Sequence, residues 1–509
     1  MKRLIIILFS IFFCFAINAQ LSTEEVPYSW GKNSGGTNIS SVPKVTLPRL
    51  DMDAINREDA ENEGVPAPVR FGISHEVNLS LSNSGVWTTT SDGGRLWNLR
   101  IYSPDAISLN LLYDKFQLPD GAKFFIYSED MEQHIGAFTS ENNKGDNDNI
   151  MGFATGFLYT KSIVLEYFEP EGTKESGIIS ISQVVSGYRY VYDIVNRAND
   201  PDLLTCHNDV TCPAGNGYAN ERNAVACMVM GNSACTGALL NTTANDNSPV
   251  FLSADHCFNA TPTTQWVFYW HYEAPCNGNA NWDFNRATTG ATLLARSANT
   301  DFMLLRLNEH PAMNSNITPY FLGWDRANTP ASSGAGIHHP RRSPKKISLT
   351  NKVENNSGSY LSGTHWKATW NSGATEVGSS GSPLLNQSNR VVGQLHGGVT
   401  DCPPKAYDYY GRLDVSWTGG GASSSRLKEH LDPLDTNPSS LDGKNCNITI
   451  NNQTYGAGTH VLAGCGDVTI YNTVFSSNAT VRIHGQNSVI LNPGFEAQLG
   501  SNVTITVGP

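Results

Sequence analysis

The chain has 509 residues, 39% hydrophobic and 16% charged with 46 glycines, enough for roughly two to four domains and ordinary for a globular protein rich in loops and strands, which excludes wholesale disorder. Its formal net charge of -12 argues against nucleic acid as a partner, because phosphate binding normally uses a basic face. Beyond the N-terminal segment no run reaches the roughly 18 apolar residues that span a bilayer, so no stable membrane span is expected.

Residues 1–20 have the three parts of a secretory signal: Lys2 and Arg3, an apolar run from Leu4 to Ala16, and a small residue at Ala19. Cys14 follows Phe12 and Phe13 rather than small residues, which is unlike a lipid-attachment site. Export is the expectation. Residues 21–70 are rich in Ser, Asn, Gly and Pro and read as an extended lead-in. From 71 to 197 strand-like runs such as Leu96 to Tyr102, Ile107 to Tyr113, Phe124 to Tyr127 and Ile163 to Tyr167 recur between turn residues, predicting an all-β sandwich.

Cysteine usage marks the next boundary. Of ten cysteines, Cys206, Cys212, Cys227, Cys235, Cys257, Cys276 and Cys402 lie between 198 and 444, Cys446 and Cys465 follow, and none lies in 71–197. In an exported protein disulfides are the default over metal ligands, although spacing alone leaves the pairing open.

Within 198–444, Gly378-Ser379-Ser380-Gly381-Ser382-Pro383 is a run of tiny residues that can turn tightly, present its own N–H groups and expose one hydroxyl. A serine nucleophile needs a base. His256, at the end of Phe251-Leu252-Ser253-Ala254-Asp255-His256-Cys257, is a fixed histidine at a strand end, and Asp301 opens the apolar run Phe302 to Leu307, where a carboxylate needs a hydrogen-bonding partner. The chain order His, Asp, Ser is that of the chymotrypsin-like double barrel.

Together with Cys235-Thr236-Gly237, Gly336-Ile337-His338-His339-Pro340, Gly393-Gln394-Leu395-His396-Gly397-Gly398 and Tyr410-Gly411-Arg412, these segments resemble the lysyl endopeptidase family of secreted bacterial serine proteases, over roughly residues 206 to 440. The resemblance implies a chymotrypsin-like double β-barrel with His256, Asp301 and Ser380 as catalytic triad and the amides of Gly378 and Ser380 as oxyanion hole. It implies disulfides Cys206–Cys402, Cys212–Cys276 and Cys235–Cys257, leaving Cys227 as a buried thiol; Cys446 and Cys465 are expected to pair in the tail. Asp408 would sit in the primary pocket and hold a substrate lysine, with Asp401 and Asp414 as weaker rivals. His396 would shape the pocket, and where the family carries a tryptophan, the stretch 357–363 offers only Tyr360.

The resemblance also makes the β-rich domain a pro-region, acting as folding template and intramolecular inhibitor, against the plainer reading of a permanent accessory domain. Ser379 stands where animal trypsin-like proteases keep the aspartate that captures the new N-terminus, so activation is expected to depend on pro-region removal, with disulfides rather than a buried ion pair holding the N-terminal segment. No lysine lies between Lys174 and Cys206, whereas Arg189 and Arg197 do, which keeps arginine or mixed specificity open. His338 and His339 would point to opposite faces of a strand, so no metal or other cofactor is expected.

Residues 445–509 are poor in charge, with short strands at Val468 to Ile470, Val481 to Ile483, Val489 to Leu491 and Val503 to Val507, and read as a small stacked, solenoid-like β module. Lys444 ahead of it offers a self-cleavage point. The sum is a monomeric secreted serine endopeptidase acting after lysine on protein or peptide substrates; the alternative from another class is an inert protease-like adhesion protein.

Overall fold

The computed structural model describes residues 25–30, 39–62, 67–145, 149–174, 176–189, 204–278, 283, 286–358 and 361–508. The expectations for the signal segment, Tyr360, Arg197 and the 197/198 boundary lie outside the described residues. No described helix is long and apolar enough to cross a membrane.

The first unit is a sandwich of two sheets. One is built on Arg95–Tyr102 and Ser162–Glu169, extended by Lys123–Ser128, His134–Phe138, Val86–Thr89 and Lys44–Thr46. The other runs Gly72–Ser80, Ile178–Gly187, Ser108–Gln117 and Phe153–Ala154. Because side chains alternate along a strand, Trp97, Leu99 and Ile101 share one face, and they pack with Leu109, Leu111 and Ile181 of the opposite sheet.

The lead-in is not merely extended. Met52–Glu61 forms an α-helix whose first turn is capped by Asp51, its carboxylate accepting from the Ala54 amide at 2.9 Å. Good helix formers such as Met, Ala, Arg and Glu supply it, while Ser, Asn and Pro dominate only the flanks. Val69–Arg70 then leaves the sandwich and joins the next domain as a strand.

That domain is two barrel-like sheets. The first orders Ala287–Thr289, Trp266–Tyr269, Val225–Met230, Ser233–Leu240, Val250–Ala254, Phe302–Leu307 and Ala291–Ser297, with Val69–Arg70 added at Ser233–Leu240. The second contains Gly334–His338, Pro383–Asn386, Val391–Val399, Tyr407–Arg412 and His365–Thr369 in neighbouring positions. Apolar side chains from both, among them Leu252, Leu304, Ile337 and Leu385, merge in one core, so the sheets cannot separate without exposing it. The structure pairs Cys206 with Cys402, Cys212 with Cys276, Cys235 with Cys257 and Cys446 with Cys465, and leaves Cys227 as a buried thiol.

The sandwich and the first barrel also share a core. Phe71, Leu112 and Phe157 cluster with Cys227, Val229, Val267 and Tyr269 on the barrel's outer face, and Phe157 stacks on Tyr269 with ring centroids 5.6 Å apart.

After residue 445 the chain winds into parallel stacks in which Ile448, Val468 and Val489 lie in register, as do Val481 and Val503. The module is therefore a short β-solenoid with Ile450, Ile470, Phe475 and Ile483 inside. It is fastened to the barrel: Asn247 Nδ2 donates to the carbonyls of Cys446 and Ala463 at 2.8 and 2.9 Å. Lys444 is not an open cleavage loop, since Lys444–Asn445 is a strand paired with Tyr320–Phe321 and its ammonium donates to the Asn245 carbonyl at 2.6 Å.

Candidate active site

The strand Val250–Ala254 runs into the single turn Asp255–Cys257, which carries His256. Two anchors stop that turn from drifting: the Cys235–Cys257 bond, and Asp255, whose carboxylate accepts from Arg296 Nε at 2.5 Å. The Asp255 amide also donates to the Asp301 carbonyl at 2.8 Å. Asp301, 3% exposed and at a left-handed φ of 56°, accepts from the His256 amide at 2.9 Å through Oδ1 and faces His256 Nδ1 at 2.7 Å through Oδ2. A carboxylate accepts, so the imidazole proton sits on Nδ1 and Nε2 keeps its lone pair. His256 Nε2 is buried and has no hydrogen-bond partner among the described residues.

The Asp301 backbone is held from below. Thr300 O accepts from Gln394 Nε2 at 2.7 Å, and Thr300 Oγ1 accepts from Ser416 at 2.8 Å. Gly411 must be glycine, since a Cβ there would come within 1.8 Å of Thr300 O. The Tyr-Gly-Arg triplet thereby supports the aspartate from another strand.

Ser380 sits where the small-residue turn 378–383 meets the first barrel. Its carbonyl accepts from the Thr236 amide at 2.9 Å, and the Gly378 carbonyl accepts from Thr236 Oγ1 at 2.8 Å. A Cβ on Gly381, which has φ 84°, would lie 2.4 Å from the Thr236 carbonyl, so only glycine lets the turn approach this closely. The amides of Ser379, Gly381 and Ser382 donate to the carbonyls of Glu376, Leu395 and Ser379. Those of Gly378 and Ser380 have no acceptor among the described residues. The structure forms no hydrogen bond between Ser380 and His256.

Ser379 is tied down. Ser348 donates to the Ala374 carbonyl at 2.9 Å and so can only accept from His338 Nε2, at 3.1 Å. Burial first, then nearby His207 and His339, holds His338 well below the usual histidine range, so it is neutral and its Nδ1 accepts from Ser379 Oγ at 2.8 Å. His339 turns the other way, with Nδ1 2.9 Å from the Ser343 carbonyl and its ring stacked on Tyr272. The two rings thus have separate partners.

Beside Ser380 opens a cavity of about 340 Å³ lined by Thr375, His396, Gly398, Tyr407 and Tyr409. Asp408 lies behind that lining. Its Oδ2 accepts from Trp370 Nε1 at 2.5 Å and Thr375 Oγ1 at 2.7 Å, and its Oδ1 is so near Gly398 that a Cβ there would stand 2.5 Å away. Burial raises its pKa to about 6, against those two donors, which lower it. The rivals lie elsewhere: Asp414 pairs with Arg412 at 2.6 Å, and half-exposed Asp401 accepts from the Cys402 amide. His396 Nδ1 lies 3.1 Å from His365 Nε2 and 3.6 Å from Asp301 Oδ2, with its ring 5.6 Å from that of His256. His365, missed in the sequence, therefore partners His396; the Thr364-His365 pair was its signal. Ligand atoms of His256, Asp301 and His396 lie within 4.8 Å of one another, spacing a metal could use, but both imidazole Nδ1 atoms already face the shared carboxylate.

The N-terminal segment of the barrel is held by the expected Cys206–Cys402 bond and also, unforeseen in the sequence, by a buried carboxylate: Glu376 faces His207 Nε2 at 2.7 Å and accepts from the Leu204 amide at 3.0 Å and from Arg341 Nε at 2.6 Å. Glu376 and Arg341 lie more than a hundred and thirty residues from Leu204 and His207, and no local motif announces the cluster.

The sandwich also reaches the site. Val69–Arg70 pairs antiparallel with Ser233 and Ala234, the Phe71 amide donates to Asn232 O at 2.9 Å, and Arg342 Nη1 donates to Arg70 O at 3.3 Å. Ala67 lines the cavity with Ser380, and Val69 lies over Gly378, where a Cβ would meet it at 3.1 Å. Arg70 pairs with Glu58 and Asp59 at 2.9 and 2.8 Å, clamping this segment to the capped helix.

Two merged barrel-like sheets, with a histidine–aspartate pair and a serine turn meeting at their junction, define the chymotrypsin-like class. Residues 202–411 match the family model "Lysyl endopeptidase, C-terminal domain". A lysyl endopeptidase of Pseudomonas aeruginosa PAO1 is 36% identical over 220 residues, which cover 39% of this chain and 46% of that protein, so the match spans about half the relative's length. Among solved structures, an inactive form of Rv3671c from M. tuberculosis H37Rv has 14% identity and a TM-score of 0.29, covering 45% of this chain and 94% of that one. The HtrA-type protease AlgW with tripeptide has 13% identity and a TM-score of 0.28, covering 39% and 59%. Those scores are too low to bear on function.

Proposed function

We propose that the protein is a secreted serine endopeptidase that cuts after lysine and is restrained in the uncut chain by its own N-terminal domain. The observation that carries this reading is the imidazole of His256, fixed by Asp301 with its free Nε2 buried, beside a turn whose Gly378 and Ser380 amides await an acceptor. In the reaction Ser380 Oγ attacks the peptide carbonyl while His256 Nε2 takes its proton. Asp301 stabilises the imidazolium that results, and the proton then passes to the leaving amine. The two amides receive the oxyanion, where each such donor is worth about two to three powers of ten in rate. Water then repeats the sequence on the acyl-enzyme.

Lysine is favoured by Asp408. Its Oδ1 makes no hydrogen bond to a described residue and faces Gly398 on the cavity wall, leaving it for an ammonium that enters past Thr375. Arginine or mixed specificity is the second reading, supported by Arg189 and Arg197 ahead of the domain. Restraint by the N-terminal domain is supported by Ala67 at the cavity and by Val69 over Gly378, where an oxyanion would bind. Export is supported by the signal-like residues 1–20. We assign no metal or cofactor to the reaction.

The test is digestion of an unfolded protein by the processed form, with mass spectrometry of the new C-termini and a Ser380→Ala control. Lysine termini that vanish in the control are expected. Arginine termini move the reading to mixed specificity. No cleavage, together with no labelling of Ser380 by an organophosphonate, sinks the enzyme in favour of an adhesion protein.

A further inference from the structure

The nucleophile turn is fixed at both ends, and the two fixings differ. At Ser379 it is tied to His338, a neighbour in the same barrel. At Glu376 it is tied to the segment where the protease domain begins: one carboxylate oxygen takes the Leu204 N–H and faces His207 Nε2, and the other takes Arg341 Nε. The turn closes on Glu376, whose carbonyl accepts from the Ser379 amide at 3.0 Å and whose own amide donates to Ser379 Oγ at 3.3 Å. Arg341 adds a clasp, its amide donating to the Val377 carbonyl at 2.6 Å. The aim of the Gly378 amide is thus set between two residues whose side chains or backbones answer to this cluster. The side chains of Glu376 and His207 are 2% and 4% exposed, so water cannot replace a lost partner cheaply.

We infer that Glu376 is a positioning residue, which locks the oxyanion-binding turn to the N-terminal segment Leu204–His207 and is already engaged before the chain is cut. The inference rests on the reading of Ser380 as nucleophile and adds to it how the turn is assembled. The donors are a backbone N–H inside the chain, an imidazole and a guanidinium; none is a free α-amine. The lock therefore does not wait for a new N-terminus. Release of the segment around Ala67 and Val69 is what processing must achieve, because the turn beneath is built beforehand. The Cys206–Cys402 bond lies beside the lock and keeps Leu204 and His207 in reach after the preceding residues are removed.

The experiment uses the processed protein and three variants, Glu376→Gln, Glu376→Asp and His207→Gln, with a lysyl ester as substrate and n-butylamine as a competitive probe of the pocket. Glu376→Gln is expected to lower kcat on the order of 100-fold, the scale of a lost oxyanion donor, while KM and the butylamine inhibition constant stay within about twofold. Glu376→Asp should recover part of the loss. The double variant Glu376→Gln/His207→Gln should be no slower than Glu376→Gln alone, since both break one lock. If Glu376→Gln does not fold, Leu204→Pro removes a single donor and should lower kcat in the same selective way. An unchanged kcat, or a kcat loss matched by equal loss of butylamine binding, overturns the inference, because the carboxylate would then be dispensable or merely structural. A wild type that neither hydrolyses the ester nor takes up a phosphonate overturns the protease reading itself, and the two failures are told apart by that control. In the uncut chain, a wild type labelled by a small phosphonate faster than its Glu376→Gln variant supports preassembly; equal rates count against it.

Discussion

Asp408 has two donors on one oxygen and a glycine against the other, so its charge is aimed in one direction. Burial has pushed its pKa to about 6, which places a titration inside the working range. As pH falls through that value the carboxylate takes a proton and loses its attraction for an ammonium. The ratio of kcat/KM for a lysyl ester to that for a leucyl ester should therefore fall below pH about 6. A ratio flat on both sides of that pH would remove Asp408 from the pocket's chemistry. Asp408→Asn should cost lysyl substrates about 3–5 kcal/mol, or two to four powers of ten, and leave the leucyl ester nearly untouched. The sequence singled out His256, Asp301, Ser380 and Asp408 because each lies in a short run whose residue types are themselves demanding, and the roles proposed for them rest on that reading. His365 and Glu376 were not, since their roles come from neighbours dozens to hundreds of positions away.

Among the elements, the strand Val69–Arg70 departs furthest from its sequence. Nothing in Ala67-Pro68-Val69-Arg70 says that it will pair with Ser233–Ala234, more than a hundred and fifty residues away, and averaging composition over 21–70 hid the helix to which Arg70 is clamped. Arg70→Ala should loosen that clamp and let the uncut chain react with a small phosphonate faster than the parent; an unchanged rate would mean that backbone pairing alone holds the strand. The Cys235–Cys257 link acts on the opposite wall. Closing a span of 22 residues, it is worth about 3 kcal/mol by loop entropy, so its removal should lower the melting temperature and also free the turn bearing His256. The sandwich and the solenoid were both readable from short alternating runs. Their attachment was not, because contact between domains leaves no period in the sequence.

At the scale of the molecule, the sandwich and the first barrel are joined by one shared core rather than by two polar surfaces in contact. Cys227 reports on that joint. Its thiol is buried among the residues of the shared core, and burial pushes its pKa up to about 12. It should resist a thiol reagent in the uncut chain and react once the sandwich has gone; equal resistance in both states would show that the barrel alone shields it.

The same joint gives activation a sense of time. A cut between the domains changes covalent connectivity at once but leaves Phe71, Phe157 and Tyr269 packed as before. If the N-terminal domain restrains the site as proposed, the severed partner must then diffuse away or be digested, and each molecule that gains activity would hasten the release of the rest. Progress curves from purified precursor should accordingly show a lag that shortens with concentration, followed by an accelerating rise. A secreted enzyme built this way would stay quiet while dilute and switch on collectively where it accumulates.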